Sequence, residues 1–367
     1  MYRKMLNGCY LELDGSFYEQ GKKHGEILKA DIQKNIDRYR KALNQFNLQK
    51  INYEKLVHDN FAFLKKNHPE YAEELQGLSD GSEIELDDIL FINIPLYFIL
   101  RWLPDECSSI LAHNKATADG KTYLIKNRDM GNGWVEHAVI KRTLPNGKQL
   151  IEVSGAGMIT FPGNVINCDG LAVSTSGVWS DKMSFDLSSV VDSHALINSR
   201  LIAENATTVE EAIDYLEKMP RMTGLNIVLA DKAKAVSVEV TKDSLRVANE
   251  ADDIIVRTNH YEHLDLVELN PDREEYKSTY YRKERAEAYL QEHFGNIRLQ
   301  EMIKIASDHE NGPTNTICRH PHDDVDANTI YTSIMVVEDF EVWTTLSQAC
   351  LSINNTSIDE AKRSDNQ

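Results

Sequence analysis

The stretch Asp105-Glu106-Cys107-Ser108-Ser109, read with Lys126-Asn127-Arg128-Asp129-Met130 beyond an Asp119-Gly120 turn, decides the fold. Upstream of it the chain has a helical texture. Phe17, Ile27, Leu28, Ile32, Ile36, Tyr39 and Leu43 recur at a helical period through residues 15–43, and residues 52–67 and 69–78 continue in that style. Pro69 suits a first helical turn, and Asp87-Asp88 suits a helix N-terminus, where negative charge is favourable. Downstream of it come short β-like runs punctuated by turns. Asp119-Gly120 separates residues 108–113 from 122–125, Asn146-Gly147 separates 138–143 from 149–153, and Asp169-Gly170 precedes 171–175. Further strands are expected at 225–230, 235–240, 244–247, 254–258, 329–337 and 341–346, with helices at about 186–203, 209–219, 279–293 and 299–307. Such an order suggests sheets covered by helices. A hairpin that starts at Cys107 returns to the same end of its sheet near Asp129, which sets a carboxylate beside a thiol.

Composition narrows the function classes. The chain has 367 residues, enough for one large domain or two small ones. Lys+Arg is 40 against Asp+Glu 58, a formal charge of −18, and no basic run stands out. That argues against a basic nucleic-acid-binding face, so no nucleic-acid partner is expected. Cys9, Cys107, Cys168, Cys318 and Cys350 are scattered and form no Cys-x-x-Cys pair. This argues against a disulfide framework and fits a reducing, cytoplasmic location. Residues 1–14 carry Arg3, Lys4, Glu12 and Asp14 with no apolar run of signal-peptide type. The longest apolar stretch, residues 89–103, is broken by Asn93, Pro95 and Arg101. A membrane span needs about 20 mostly apolar residues, so buried core is expected here, not membrane. No internal repeat is visible, and residues 354–367 read as a polar tail.

On chemistry alone Cys107 is either a nucleophile or a small buried hydrophobe. His260, after Asn259, is a papain-like partner for it in one reading. His309, Cys318, His320 and His322 lack the paired spacing that makes zinc motifs specific, so no metal is expected. Ile317-Cys318-Arg319-His320 is read instead as a polar shell near the site, and Asp323, Asp324 and Asp326 as solvated surface.

Taken in order, several segments resemble the isopenicillin N acyltransferase (acyl-coenzyme A:6-aminopenicillanic acid acyltransferase) family of N-terminal nucleophile hydrolases, related to the choloylglycine hydrolases. They are Gly15-Ser-Phe-Tyr-Glu-Gln-Gly21 with Gly25, Cys107-Ser-Ser-Ile with Asn127-Arg128-Asp129, Gly170-Leu171-Ala172, Gly224-Leu225-Asn226 with Ala230-Asp231, Val256-Arg257-Thr258-Asn259-His260, Ser278 to Arg285, and Asp308-His309 with Ile317-Cys318-Arg319-His320. The resemblance implies an α+β fold, the four-layered αββα sandwich. Residues 1–106 would be a mainly helical pro-segment packed on the core, 107–353 the catalytic fragment and 354–367 the tail. It also implies cleavage of the Glu106–Cys107 bond, after which the two fragments stay associated.

The implied chemistry is direct. A freed α-amine on Cys107 has a reference pKa of about 7.7–8.0 and takes the thiol proton. The thiolate then attacks an amide or thioester carbonyl, and the acyl-enzyme passes to water or to an amine. By the same resemblance, Asp129 holds the freed amine, Asn226 supplies an oxyanion-hole amide and Arg282 stands near the carboxylate, with Arg285 as the alternative. Lys126 replaces an arginine seen in the relatives. Ser176 stands where a second donor asparagine is usual. Glu106 replaces a small residue. Arg319, His320 and His260 are secondary candidates. The expected function is an autoprocessed amidohydrolase or acyltransferase acting on an N-acylated small molecule or short peptide. No cofactor is expected, with acyl-coenzyme A an eligible acyl donor. The alternatives are an uncut thiol hydrolase using Cys107 and His260, and a non-catalytic binding protein on the same fold.

Overall fold

The computed structural model describes residues 1–5, 7–45, 53–93, 106–131, 135–161, 163–183, 198–221, 224–250, 252–322 and 327–356. Its strands are β1 (Tyr2–Met5), β2 (Gly8–Leu13), β3 (Glu106–Ala112), β4 (Tyr123–Gly131), β5 (His137–Thr143), β6 (Gln149–Gly155), β7 (Asn164–Asn167) and β8 (Ala172–Val178), followed by β9 (Gly224–Ala230), β10 (Ala235–Val240), β11 (Leu245–Ala248), β12 (Ile254–Arg257), β13 (Ala327–Val336), β14 (Glu341–Thr345) and β15 (Asn354–Asn355). Its helices are α1 (Phe17–Gln45), α2 (Tyr53–Asn67), α3 (Pro69–Ser82), α4 (Leu86–Ile92), α5 (Asn198–Asn205), α6 (Val209–Lys218), α7 (Lys277–Glu292) and α8 (Leu299–Ala306).

Two sheets stack face to face. One runs β1-β2-β5-β6-β7-β8-β9-β10-β11, the other β12-β3-β4-β13-β14-β15. Side chains alternate along each strand, so every strand serves two cores. In β3, Leu111 points into the layer between the sheets with Leu124, Val153, Val228 and Met335. Its neighbours Ile110 and Ala112 point the other way, onto α7 and α8, where they meet Ala286, Leu290, Met302 and Ile305. The nine-stranded sheet buries its far face, including Ile140 and Leu229, against α1 to α6. The result is four layers, α, β, β, α, as the resemblance implied.

The segment before Cys107 is not helical throughout. It opens with the β1–β2 hairpin, and β2 pairs in parallel with β5, Leu11 opposite Ile140. Cys9, Leu11 and Leu13 face the helices while Tyr10 faces the second sheet, a period-2 pattern too short to stand out beside the long helix after it. Residues 1–106 therefore share a sheet with the rest of the chain. The opening Gly-x-x-Tyr-Glu-x-Gly segment also has a packing reason. A Cβ on Gly21 would lie 2.0 Å from the Glu74 carbonyl oxygen, and one on Gly77 would lie 2.1 Å from the Tyr18 carbonyl oxygen. Only glycines let α1 and α3 approach this closely.

Other expectations meet the structure with local differences. The helix expected at 186–203 is described only from Asn198 onward, as α5. β7 has no counterpart among the expected strands. The tail expectation fails at its first residues, because β15 pairs with β14, and residues 357–367 lie outside the described residues. Of the apolar stretch 89–103, Ile89, Leu90 and Ile92 are buried, and the part from residue 94 lies outside the described residues. No helix among the described residues is long and apolar enough to cross a membrane.

Candidate active site

Cys107 lies near the start of β3, a strand flanked on both sides, by β12 and β4. The register sets Cys107 opposite Arg128 and Glu106 opposite Asp129. Strand alternation then divides the site. Cys107, Ser109, Lys126 and Arg128 share the face between the sheets. Ser109 Oγ lies 2.7 Å from Ser174 Oγ and 3.2 Å from Ser176 Oγ on β8, and Lys126 donates to the Thr175 carbonyl. Glu106, Ser108, Asn127 and Asp129 share the opposite face, toward the helices. Asn127, for example, donates to the carbonyls of Ala306 and Ile317.

One arginine gathers the groups at the junction. Arg282, fully buried on α7, donates from one terminal nitrogen to the Cys107 carbonyl at 2.5 Å and to Ser108 Oγ at 2.9 Å. Its other terminal nitrogen donates to Glu106 Oε2 at 2.7 Å and Asn259 Oδ1 at 2.9 Å, and its Nε donates to Ser278 Oγ at 3.0 Å. Arg285, the alternative, faces away. It pairs with Asp308 at 2.7 Å and Glu310 at 3.0 Å.

Glu106 is held as an anion. Ser278 Oγ donates to its Oε2 at 2.7 Å, and Arg319 approaches the same oxygen at 3.0 Å. Burial alone would push its carboxyl up, but Arg282, Arg319 and the Ser278 hydroxyl outweigh it and bring it to about 2. Asp129 goes the other way. Burial raises its carboxyl, and the opposing pull of Arg319, Arg282 and the Thr329 hydroxyl does not cancel that, with the Glu106 charge adding to the rise. Thr329 Oγ1 donates to Asp129 Oδ1 at 2.7 Å, while Oδ2 is buried with no hydrogen-bond partner among the described residues.

The amide that meets Cys107 is that of Asn259. Its Oδ1 accepts from the Cys107 N–H at 2.9 Å, and its Nδ2 donates to the Gly177 carbonyl at 2.8 Å. Asn226, matched by resemblance to the oxyanion hole, lies one step behind. Its Nδ2 donates to the carbonyls of Thr258 at 3.0 Å and His260 at 2.8 Å, the two residues that flank Asn259. Both amide protons are thereby committed to the backbone that carries Asn259. Sequence reading singles out the Val-x-Thr-Asn-His segment but takes from it only the histidine. His260 is 2.9 Å from Thr279 Oγ1 and 3.2 Å from Thr258 Oγ1 through Nδ1, and it stacks on Tyr280. Its hydrogen bonds among the described residues do not include Cys107. Burial, then Lys283, Arg282 and Arg257, depress it to about 3, so it is neutral near pH 7. His320 turns away from the junction toward His309 and Cys350.

Strand parity exposes further residues that motif matching does not weigh. Arg128 shares the Cys107 face and sets its guanidinium 4.7 Å from the Phe161 ring centre, with His137 packed on the same ring. Beside Gly177 and Ser278 opens a cleft of about 210 Å³ lined by Trp179, Lys182, Asp272, Glu275 and Tyr276. In the intact chain Cys107 itself has no solvent exposure.

The family of acyl-coenzyme A:6-aminopenicillanic acid acyl-transferases matches residues 116–349, more than half of the chain. The chain belongs to this family. The matched span begins after Cys107, so membership rests on β4 and the elements C-terminal to it, Asp129, Asn259 and Arg282 included. An uncharacterized protein of Archaeoglobus fulgidus is 23% identical over 314 residues, covering 70% of this chain and 50% of that protein. The chain thus spans about half the length of the curated relative it matches. Among solved structures, a variant of the conjugated bile acid hydrolase from Clostridium perfringens aligns with a TM-score of 0.45 at 15% identity, over 70% of this chain and 93% of that one. Penicillin V acylase from Agrobacterium tumefaciens aligns with a TM-score of 0.37 at 15% identity, over 69% and 78%.

Proposed function

We propose that this chain is a self-processing cysteine amidohydrolase or acyltransferase that cuts its own Glu106–Cys107 bond and then uses Cys107 as an N-terminal nucleophile. The observation that carries this reading is the convergence of buried polar groups on the two residues of one junction, Glu106 and Cys107. Asn259 accepts from the nitrogen of Cys107, and Arg282 grips the carbonyl of Cys107 and the carboxylate of Glu106. Asp129, opposite Glu106 and with one buried oxygen unpartnered among the described residues, is the carboxylate assigned to the new ammonium.

In processing, the Cys107 sulfur attacks the Glu106 carbonyl carbon. The C–N bond breaks as the C–S bond forms, and the proton leaving sulfur ends on the freed amine. Water then hydrolyses the thioester, leaving a carboxylate on Glu106 and a thiol on Cys107. In turnover, the α-amine takes the thiol proton and the thiolate attacks the acyl carbonyl. The second Nδ2 proton of Asn259 is the donor for the oxyanion, and Asn226 acts behind it by fixing its backbone. The leaving group departs with the proton, and water or an acceptor amine takes the acyl group. Ser176 borders the acyl site from the other sheet, and Lys126 borders it from the adjacent strand β4.

The family's description supports acyl exchange between a thioester donor such as acyl-coenzyme A and a small amine. Lys126 and Arg128 give the Cys107 face a cationic character, which favours a substrate bearing a carboxylate near its amide. The two fragments stay together after the cut, because β2 is hydrogen-bonded into the sheet of the larger fragment.

Intact mass spectrometry and denaturing electrophoresis of the purified chain test this. Two fragments, the larger starting at Cys107, are expected, and Cys107→Ala should give one uncut, inactive chain. A single chain that hydrolyses N-acyl amino acids without being cut would replace this reading with the uncut thiol hydrolase. A single chain inactive against amides and thioesters would leave only a binding protein.

A further inference from the structure

Outside this site, two loops bring four metal-ligating side chains together. His309 follows α8, Cys318 and His320 lie in the loop before β13, and Cys350 lies in the turn after β14. One ligand atom from each lies within 4.8 Å of every other. His309 Nε2 is 3.0 Å from His320 Nε2, and His320 Nε2 is 3.2 Å from Cys350 Sγ. Two imidazoles at about 2.0–2.1 Å and two thiolates at about 2.3 Å from a tetrahedral zinc ion span edges of roughly 3.3–3.8 Å. To enclose an ion, the closest contacts need to open by a few tenths of an ångström and the widest separation, up to 4.8 Å, to close by about 1 Å, shifts within reach of side-chain rotation.

We propose that His309, Cys318, His320 and Cys350 form a closed, four-ligand site for a thiophilic divalent metal ion, zinc by its donor set. Two sulfurs and two imidazole nitrogens select zinc over calcium or magnesium, which take oxygen ligands. Four protein ligands leave no open position, so the ion is structural and takes no part in acyl transfer. The linear sequence hides the site because its fourth ligand, Cys350, comes from a second loop, and only Cys318 and His320 are near neighbours in the chain. The sequence expectation of no metal rests on spacing, and spacing is uninformative when the fold supplies the fourth ligand.

The surrounding backbone is already braced for a fixed loop. The Cys318 N–H donates to the Asp308 carbonyl, Thr316 Oγ1 donates to the same oxygen, and Asn127 donates to the Ile317 carbonyl. Between the ligands Cys318 and His320 stands Arg319, whose guanidinium reaches Glu106. The ion would tie down the loop that carries this arginine to the junction, making Cys318 and His320 positioning residues at one remove.

The test uses the full chain, purified without a polyhistidine tag or chelator under reducing conditions from zinc-sufficient medium. Plasma mass spectrometry should find close to one zinc per chain. Cys350→Ser and His309→Gln, both at exposed positions, should lower this at least tenfold while circular dichroism stays unchanged. Cobalt(II) added to the stripped, reduced chain should give the visible bands of tetrahedral cobalt and a thiolate-to-cobalt charge-transfer band, absent in Cys350→Ser. Substoichiometric zinc in the wild type together with no cobalt band overturns the proposal. So does a Cys318–Cys350 disulfide whose reduction restores no metal uptake. Both readouts are independent of acyl-transfer activity.

Discussion

Replacing Glu106 by glutamine in a Cys107→Ala background isolates the charge at the junction without the complication of cleavage. In the intact fold the Glu106 carboxyl sits at about 2 against an ordinary value of 4.5. That difference corresponds to about 3 kcal/mol of stability at neutral pH, supplied by Arg282, Arg319 and Ser278 over the opposing cost of burial. The sign follows from a depressed acid. The contribution is fully present above the unfolded value and is lost as pH falls through the folded one. At pH 4 roughly three quarters of it should remain. Glutamine keeps the shape but leaves two guanidiniums facing Asp129 alone, so the full amount is expected to disappear at pH 7. Urea unfolding of Cys107→Ala and Cys107→Ala/Glu106→Gln at pH 7 and pH 4 reads the effect. The gap between the two variants should narrow toward pH 4. With Cys107 restored, Glu106→Gln should slow the appearance of the two fragments by roughly tenfold to hundredfold, because the residue whose carbonyl is attacked loses the side-chain ion pairs that hold it in place. Equal stability within about 0.5 kcal/mol, together with cleavage at the wild-type rate, would refute the idea that these arginines position the scissile bond.

The two asparagines should separate by type of defect. Asn259→Ala is expected to lower kcat by about 10² to 10³ with the fold intact, whereas Asn226→Ala should cost roughly 1–3 kcal/mol of stability by orphaning two buried carbonyls, read by kinetics and urea melts on both. Arg282→Lys should block processing, since a single ammonium cannot serve five acceptors in a planar fork. Arg285→Lys, at a partly exposed ion pair, should process normally, and electrophoresis distinguishes the two. Arg128→Met should raise KM for N-acyl amino acids at least several-fold over the matching C-terminal amides, and equal KM changes for both would remove the carboxylate from the substrate proposal.

Much of this was legible in the chain because the relevant information is local. The Cys107 to Asp129 hairpin follows from an Asp-Gly turn between two apolar runs, but the β3–β4 register sets Asp129 opposite Glu106, so its carboxylate and the Cys107 thiol lie on opposite faces of the sheet and not side by side. Choosing between Arg282 and Arg285 was beyond sequence, because both lie on α7 and only the angle at which that helix packs on β3 decides which one meets the junction. Asn226 and Asn259 were confusable for a similar reason. Both converge on one backbone turn from different elements, and only the hydrogen bonds reveal which amide is in front. Cys350 was invisible as a ligand because nothing in its own neighbourhood of the sequence anticipates the loop it meets. The β1–β2 hairpin escaped because its strands are short and one is paired to a distant partner in parallel.

The junction also fixes how the freed amine must behave. Before the cut, two carboxylates, Glu106 and Asp129, face two guanidiniums, Arg282 and Arg319. Cleavage adds a carboxylate to Glu106 and an amine to Cys107. If the new Glu106 terminus stayed, two negative charges from one residue would stabilise the ammonium and lift its pKa above the reference of about 7.7–8.0, making it a poor base at neutral pH. Cys107 has no solvent exposure in the intact chain, so substrate access requires the junction to open, and the expected movement is that of the freed Glu106 terminus. Its departure leaves two guanidiniums against Asp129 alone, and the excess positive charge pushes the amine below its reference value. The acid limb of the kcat/KM profile, which reports the free enzyme's base, should therefore fall below about 7.7, and Asp129→Asn should move it lower still by removing the last anion. An acid limb at or above about 8, unmoved by Asp129→Asn, would mean that the Glu106 terminus remains in place or that a different group accepts the thiol proton.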